Sequence, residues 1–125
     1  MRKEVATVNA PEAIGPYAQA NIVDNMVYLS GQLGIDPKTG MLKEGIDAQV
    51  QQALENLAAV LKEAGSDMNH VVKTTCFLQS MGDFPVVNDI YATHFTKPYP
   101  SRSAVEVGAL PKGGLFEIEA IAYIK

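Results

Sequence analysis

The chain is poor in the residues that covalent and metal-dependent chemistry usually require. Its 125 residues include one cysteine and two histidines. Cys76 cannot form an internal disulfide, and its place in the apolar run Val71 to Leu78 marks it as a buried, inert thiol rather than a reactive one. His70 and His94 have no second His or Cys close by, so the short ligand spacings of zinc sites are missing and no metal is expected. Both read as surface or packing residues, His94 at the end of a helix. There is no Gly-x-Ser-x-Gly elbow and no convincing Cys/His pair, which disfavours covalent catalysis. The glycines of Gly31-Gln32-Leu33-Gly34 and Gly113-Gly114 match neither the phosphate cradle nor the dinucleotide fingerprint, so no nucleotide cofactor is implied.

Long apolar runs are also absent. Nothing approaches the roughly 20 residues that span a bilayer, and the N-terminus lacks the apolar core of a signal peptide, so a cytoplasmic, membrane-free protein is expected. Positive charge is scarce: ten Lys and Arg stand against 14 Asp and Glu, a net charge of −4. A nucleic acid would bind against that mean field, and the one adjacent basic pair, Arg2-Lys3, lies at a terminus expected to be mobile. Hydrophobic residues nevertheless make up 47% of the chain, enough to offset the ordering of the backbone. The length suits one domain, residues 1–125.

Periodicity supplies the elements. Val5 and Val8 flank a short opening strand, followed by the Gly15-Pro16 turn. Ala20 to Val23 and Met26 to Gly31 form a hairpin across Asp24-Asn25. Asp36 to Gly40 reads as a surface turn. From Asp47 the period becomes 3.6, with Val50, Ala53, Leu54, Leu57, Val60, Leu61 and Ala64 on one stripe and Gly65 as the stop. The opposite face, including Gln49 and Asn56, is expected to meet water. Val71 to Leu78 alternates little and is expected to be a strand covered on both faces. A second helix opens at Asp83-Phe84-Pro85 and runs to Phe95. Two strands close the chain, Arg102 to Val107 and Leu115 to Ile124. In the last strand Phe116, Ile118, Ala120, Ala122 and Ile124 face one way, and Glu117, Glu119, Ile121 and Tyr123 the other. The pattern predicts an α/β (α+β) fold: a mixed sheet with two helices on one face, whose other face is covered by oligomerisation.

Apart from Arg2, Arg102 is the only arginine, and it starts a strand after a proline-stiffened loop. A guanidinium fork grips a carboxylate through two parallel hydrogen bonds, which a lysine cannot reproduce. Glu117 and Glu119 share a strand face, and Glu106 is expected on the neighbouring strand. A part-buried carboxylate needs a partner, and Arg102 is the candidate. Such a pair is either structural cement or a substrate clamp beside a base; periodicity does not choose.

Four stretches taken together resemble one family. These are Asn9-Ala10-Pro11 with Ala13 to Tyr17, Ser30-Gly31-Gln32, Phe84 to Tyr91 around Val87-Asn88, and Arg102 to Val107 followed by Leu110-Pro111-Lys112 and Glu117 to Ala120. In this order they resemble the RidA/YjgF family of reactive-intermediate deaminases over nearly the whole chain. The resemblance implies a chorismate-mutase-like fold and a homotrimer whose sheets line a barrel, with ligand pockets between subunits. It implies hydrolysis of 2-imino acids to 2-keto acids and ammonia without a cofactor, the imines being released by pyridoxal-phosphate-dependent serine and threonine dehydratases.

The family's carboxylate-binding arginine falls on Arg102, its water-orienting glutamate on Glu117, and its pocket tyrosine and asparagine on Tyr17 and Asn88. Gly31 matches a position where backbone borders the ligand. Ala104 stands where many members have cysteine; the family contact there resembles a backbone interaction, so imine hydrolysis is expected to survive the change. Glu117 either takes a proton from the attacking water or orients it. A non-enzymatic 2-keto-acid-binding or regulatory protein is the alternative reading. The ribonuclease activity attached to some members is disfavoured by the net negative charge and the lack of a general-base histidine motif.

Overall fold

A computed structural model describes all residues, 1–125. Six strands form one mixed sheet: β1 (Arg2–Val5), β2 (Ala20–Val23), β3 (Met26–Leu33), β4 (Val71–Leu78), β5 (Ser101–Glu106) and β6 (Phe116–Tyr123). Their order across the sheet is β1-β2-β3-β6-β4-β5. Only β4 and β5 run parallel; every other pairing is antiparallel. Two helices, α1 (Ile46–Glu63) and α2 (Phe84–His94), cover one face. The sheet is open, with β1 and β5 at its edges.

The opening strand is shifted from its expected place: it covers Arg2–Val5, and Val8 lies outside it, 90% exposed. Arg2 and Lys3 are therefore held in register against Val23 and Ile22 rather than left loose at the terminus. The hairpin between β2 and β3 turns at Asp24, whose φ of 53° is the left-handed conformation that Asp tolerates. The stripe of α1 packs as its period predicts, with Val50, Leu54, Leu57, Val60 and Leu61 fully buried. Burying each such side chain contributes about 1.5–3 kcal/mol. Gly65 follows the helix with φ 87°, the left-handed stop that a side chain would resist.

The polar face of α1 does not all meet water. Gln49 is 3% exposed and Asn56 1%. The Asn56 amide donates to the carbonyls of Leu33 and Ile35 at 3.0 and 2.9 Å, satisfying backbone that leaves the sheet at the end of β3. The expectation for β4 also changes. Val71, Thr74, Cys76 and Leu78 are buried under the helices while Lys73, Thr75 and Phe77 are only partly covered, so within one chain β4 has one covered face. The last strand alternates as expected, Phe116, Ile118, Ala120 and Ala122 going inward.

One irregularity shapes the site. Leu29 pairs with Ala120 and Gln32 with Ile118, so β3 spends one more residue than β6 over the same stretch. This bulge at Ser30-Gly31 lets Leu29 and Gln32 both turn inward although they are three positions apart.

Candidate functional site

Arg102 lies opposite Thr74 in the parallel β4–β5 pair, on the helix-covered face. Its guanidinium carbon stands 5.1 Å from the centre of the Phe84 ring and 4.8 Å from that of Tyr91. The two rings are two turns apart on α2 and so present one surface, over which the cation is held by its attraction to the aromatic faces. Tyr91 is fixed in turn by a 2.8 Å hydrogen bond between its hydroxyl and that of buried Thr74. Burial drives the Tyr91 phenol above its ordinary pKa. No carboxylate pairs with Arg102: the ion pairs of the chain are Lys43–Asp36, His70–Asp67 and Lys125–Asp67. The fork is free, and with Asn88, Tyr91 and Tyr99 it lines a cavity of about 460 Å³.

Glu117 belongs to the opposite face. It pairs with Phe77 on one side and Leu33 on the other, and its side chain lies over the bulge. A Cβ built on Gly31 would stand 2.5 Å from the Glu117 Oε2 and 2.8 Å from its Cδ, so glycine is what makes room for the carboxylate. Burial, with a smaller contribution from neighbouring Glu119, raises the pKa of Glu117. Glu117 lines a cavity of about 800 Å³ together with Tyr17, Ser30, Gly31, Lys112 and Glu119.

Tyr17 reaches this cavity from the loop between β1 and β2. The Ser30 hydroxyl, in the bulge, donates to the Ala18 carbonyl at 2.6 Å. Buried Gln19 accepts from the Thr7 N–H at 2.7 Å and donates to the carbonyls of Thr7 and Pro11. The loop is thereby pinned at both ends although Tyr17 itself is 54% exposed.

The residues singled out from the sequence thus form two groups. Arg102, Asn88 and Ala104 stand on the helix side near the β5 edge, while Tyr17, Gly31 and Glu117 gather on the other side. An Arg102–Glu117 pair inside one chain is ruled out, because the two side chains leave opposite faces of the sheet with β4 between their strands. Glu106 is likewise not on a strand adjoining β6; its carboxylate accepts from the Met81 N–H at 2.9 Å, in the turn leading into α2. Tyr91, Tyr99 and Lys112 complete the cavities and Phe84 supports Arg102, and none of the four carries a signal for chemistry in the sequence. The spacing of Phe84 and Tyr91 gives a shared helix face, but only the parallel crossover sets that face against Arg102.

Other groups keep to structural surroundings. Cys76 lies beside Ala104 in the ladder, fully buried, its thiol pushed up by burial to about 11. His70 bonds Asp67 at 2.6 Å and meets the Tyr123 ring edge-on. His94 ends α2 and bonds Gln51, and burial lowers its pKa. No group of three or more His, Cys, Asp and Glu side chains is placed to hold a metal ion.

The family model described as Endoribonuclease L-PSP matches residues 7–124. The chain belongs to this family, the RidA/YjgF family. It is 52% identical over 123 residues to the 2-iminobutanoate/2-iminopropanoate deaminase of Mus musculus, covering 98% of this chain and 91% of that protein. It is 48% identical over 124 residues to a Lactococcus lactis protein named as a regulator, AldR, covering 98% of each. The crystal structure of RidA from an Antarctic Psychrobacter superposes with a TM-score of 0.96 at 48% identity, covering 98% of this chain and 99% of that one. The mixed sheet with two helices on one face is therefore the architecture of a solved RidA/YjgF relative. No helix is long and apolar enough to cross a membrane.

Proposed function

We propose that the chain hydrolyses 2-imino acids such as 2-iminobutanoate and 2-iminopropanoate to 2-keto acids and ammonia. The active unit in this reading is a chorismate-mutase-like homotrimer with one cleft at each subunit interface. The observation that carries it is the separation of an unpaired guanidinium and an unpaired, half-buried carboxylate onto opposite faces of one sheet. Each chain offers both halves of a site, and a neighbouring copy supplies the complement.

In such a cleft Arg102 of one subunit grips the substrate carboxylate through its fork, with Asn88 beside it. Glu117, Tyr17 and the Gly31 backbone come from the neighbour. Water attacks the imine carbon while Glu117 accepts one of its protons and passes that proton to the imine nitrogen, which becomes an amine. The carbinolamine then collapses: Glu117 passes the hydroxyl proton to the amine as the carbonyl forms, the C–N bond breaks, and ammonia departs. A carboxylate with a raised pKa is the better relay, because it returns a proton more readily than an ordinary one. The step needs no electron transfer, and the substrate is already electrophilic, so positioning supplies much of the acceleration. The same chemistry makes dehydratases that release enamines, among them the pyridoxal-phosphate enzymes acting on serine and threonine, the natural source of substrate.

The similarity to the protein named AldR favours a second reading, a 2-keto-acid-binding regulator that keeps the arginine and does not turn over imines. An RNA-cleaving role gains nothing from the site, since neither histidine borders the Glu117 cavity. The deciding measurement couples a threonine dehydratase to the protein in the presence of semicarbazide. The deaminase reading expects 2-iminobutanoate to escape capture in proportion to added protein. Equal semicarbazone formation with and without the protein overturns it in favour of the binding module.

A further inference from the structure

Gln49 has no expected part in the site, yet it is among the most buried polar residues of the chain, 3% exposed on the first turn of α1. Its side-chain amide makes two hydrogen bonds to backbone far apart in sequence. The Nε2 donates to the Lys43 carbonyl at 3.0 Å, and the Oε1 accepts from the Leu115 N–H at 2.8 Å. The end of β3 presses on the same spot: a Cβ on Gly34 would stand 2.4 Å from the Gln49 carbonyl oxygen.

These two bonds reach the two walls of the Glu117 cavity. Lys43 closes the loop that carries Ile35, Pro37 and Gly40. That loop is held shut by the Lys43 N–H donating to the Gly34 carbonyl at 2.9 Å and by the Lys43–Asp36 ion pair. Leu115 joins the turn carrying Pro111 and Lys112 to the strand carrying Glu117. Ile35, Pro37, Gly40, Pro111 and Lys112 all line the cavity. A single amide beneath the sheet thus ties one wall to the other and to the root of β6.

We propose that Gln49 is a positioning residue, setting the separation of these two walls and so the degree to which Glu117 is shut away from water above the Gly31 bulge. The proposal rests on the catalytic reading of Glu117 for its kinetic consequence but not for its structural one. The titratable groups that line the cavity with Glu117 are Glu119 on β6, Lys112 on the adjoining turn, and Glu12 and Tyr17 on the N-terminal loop. Lys73 and Tyr28 stand on the same sheet face from β4 and β3. None of them is removed by a change at Gln49, and withdrawal of the Lys112 cation with its wall would raise the Glu117 pKa, so a fall would report on lost enclosure.

Gln49→Met keeps the length of the side chain and removes both bonds. Ser66→Ala is the control: it removes a buried bond from Ser66 to the Tyr123 carbonyl, 2.7 Å, near the far end of α1 and away from the cavity. The titration of Glu117 is followed by carboxyl-carbon NMR in glutamate-labelled protein, assigned with Glu117→Gln. This measurement does not need turnover. In Gln49→Met, Glu117 is expected to titrate at lower pH than in the wild type, and kcat to fall about tenfold or more while 2-ketobutyrate affinity changes less than about twofold. Ser66→Ala is expected to lose thermal stability with the titration and kcat unmoved. If Gln49→Met behaves as Ser66→Ala does, the positioning role is wrong. A wild type without imine turnover removes the deaminase reading, and the titration still decides for or against Gln49. Should Gln49→Met not fold, Gln49→Asn, too short to hold both walls, carries the same comparison.

Discussion

Gly31 and Glu117 make the sharpest statement at the scale of single residues. A methyl group at position 31 would collide with the end of a flexible side chain rather than with backbone, so the fold has an easy escape and the carboxylate does not. Gly31→Ala is expected to change stability by less than about 1 kcal/mol in thermal denaturation while imine turnover falls by about tenfold or more. A variant with wild-type turnover would show that Glu117 need not lie over the bulge. Glu117 also links the site to stability. Its folded pKa is raised by burial and by Glu119, so the folded state holds the proton more tightly than the unfolded chain. That contribution is fully present below the ordinary glutamate pKa and is lost as the pH climbs through the raised value. Glu117→Gln removes the loss, and its melting temperature is expected to exceed that of the wild type at neutral pH. The difference should vanish below about pH 4, near the ordinary glutamate value. Equal melting temperatures at both pH values would refute the buried-carboxylate description.

Among the elements, α2 has two duties that substitution at Tyr91 separates. Its ring supports the Arg102 guanidinium, and its hydroxyl satisfies Thr74 inside the core. Tyr91→Phe keeps the ring and strands the Thr74 hydroxyl, with an expected loss of about 1–2 kcal/mol of stability and little change in 2-keto-acid affinity. Tyr91→Leu removes the aromatic face as well, and calorimetry should find affinity weakened by about 0.5–2 kcal/mol beyond the Phe variant. Equal affinity in the two variants would mean that the ring does not orient the fork. The helices themselves were readable from their 3.6 period and the last strand from its alternation, because burial on one face imposes those repeats directly. The burial of Gln49 and Asn56 was not readable: a polar residue inside a helix looks solvent-facing until the backbone carbonyls and N–H groups it serves are known. The first strand was misplaced for a related reason, since Arg2-Lys3-Glu4 carries no apolar signal and is held by pairing with β2.

The whole molecule presents a sheet face that its own helices leave open, with Tyr28, Val105 and Tyr123 between 40% and 47% exposed. In the proposed oligomer, cover by further copies would bring Arg102 of one chain toward Glu117 of the next, an approach that their opposite orientation forbids within a chain. Light scattering is expected to report about three chain masses, roughly 40 kDa from 13.4 kDa each. A stricter test mixes chains carrying Arg102→Ala with chains carrying Glu117→Gln. Each variant alone should be inactive, whereas co-expressed mixed oligomers should recover part of the wild-type turnover, because some interfaces then pair an intact arginine with an intact glutamate. Mixed oligomers with no activity would overturn a site shared between subunits by these two residues.

The residue order alone determined five of the six strands and both helices in nearly their observed places, the inward and outward sides of β6, and, through motifs spread along the chain, the family. Those features follow from local periodicity or from combinations of residues that survive in linear order. It left open whether Arg102 and Glu117 cement one another or serve a ligand. The tertiary structure decided that within a chain, because β4 lies between β5 and β6 and turns the expected neighbours into residues two strands apart on opposite faces. Strand order and bulges arise from long-range pairing, which a linear pattern does not encode: the same alternation along β5 and β6 would be compatible with a direct hairpin. The room that Gly31 leaves for the carboxylate of Glu117 belongs to the same class, a contact made only when β3 and β6 pair with one residue to spare.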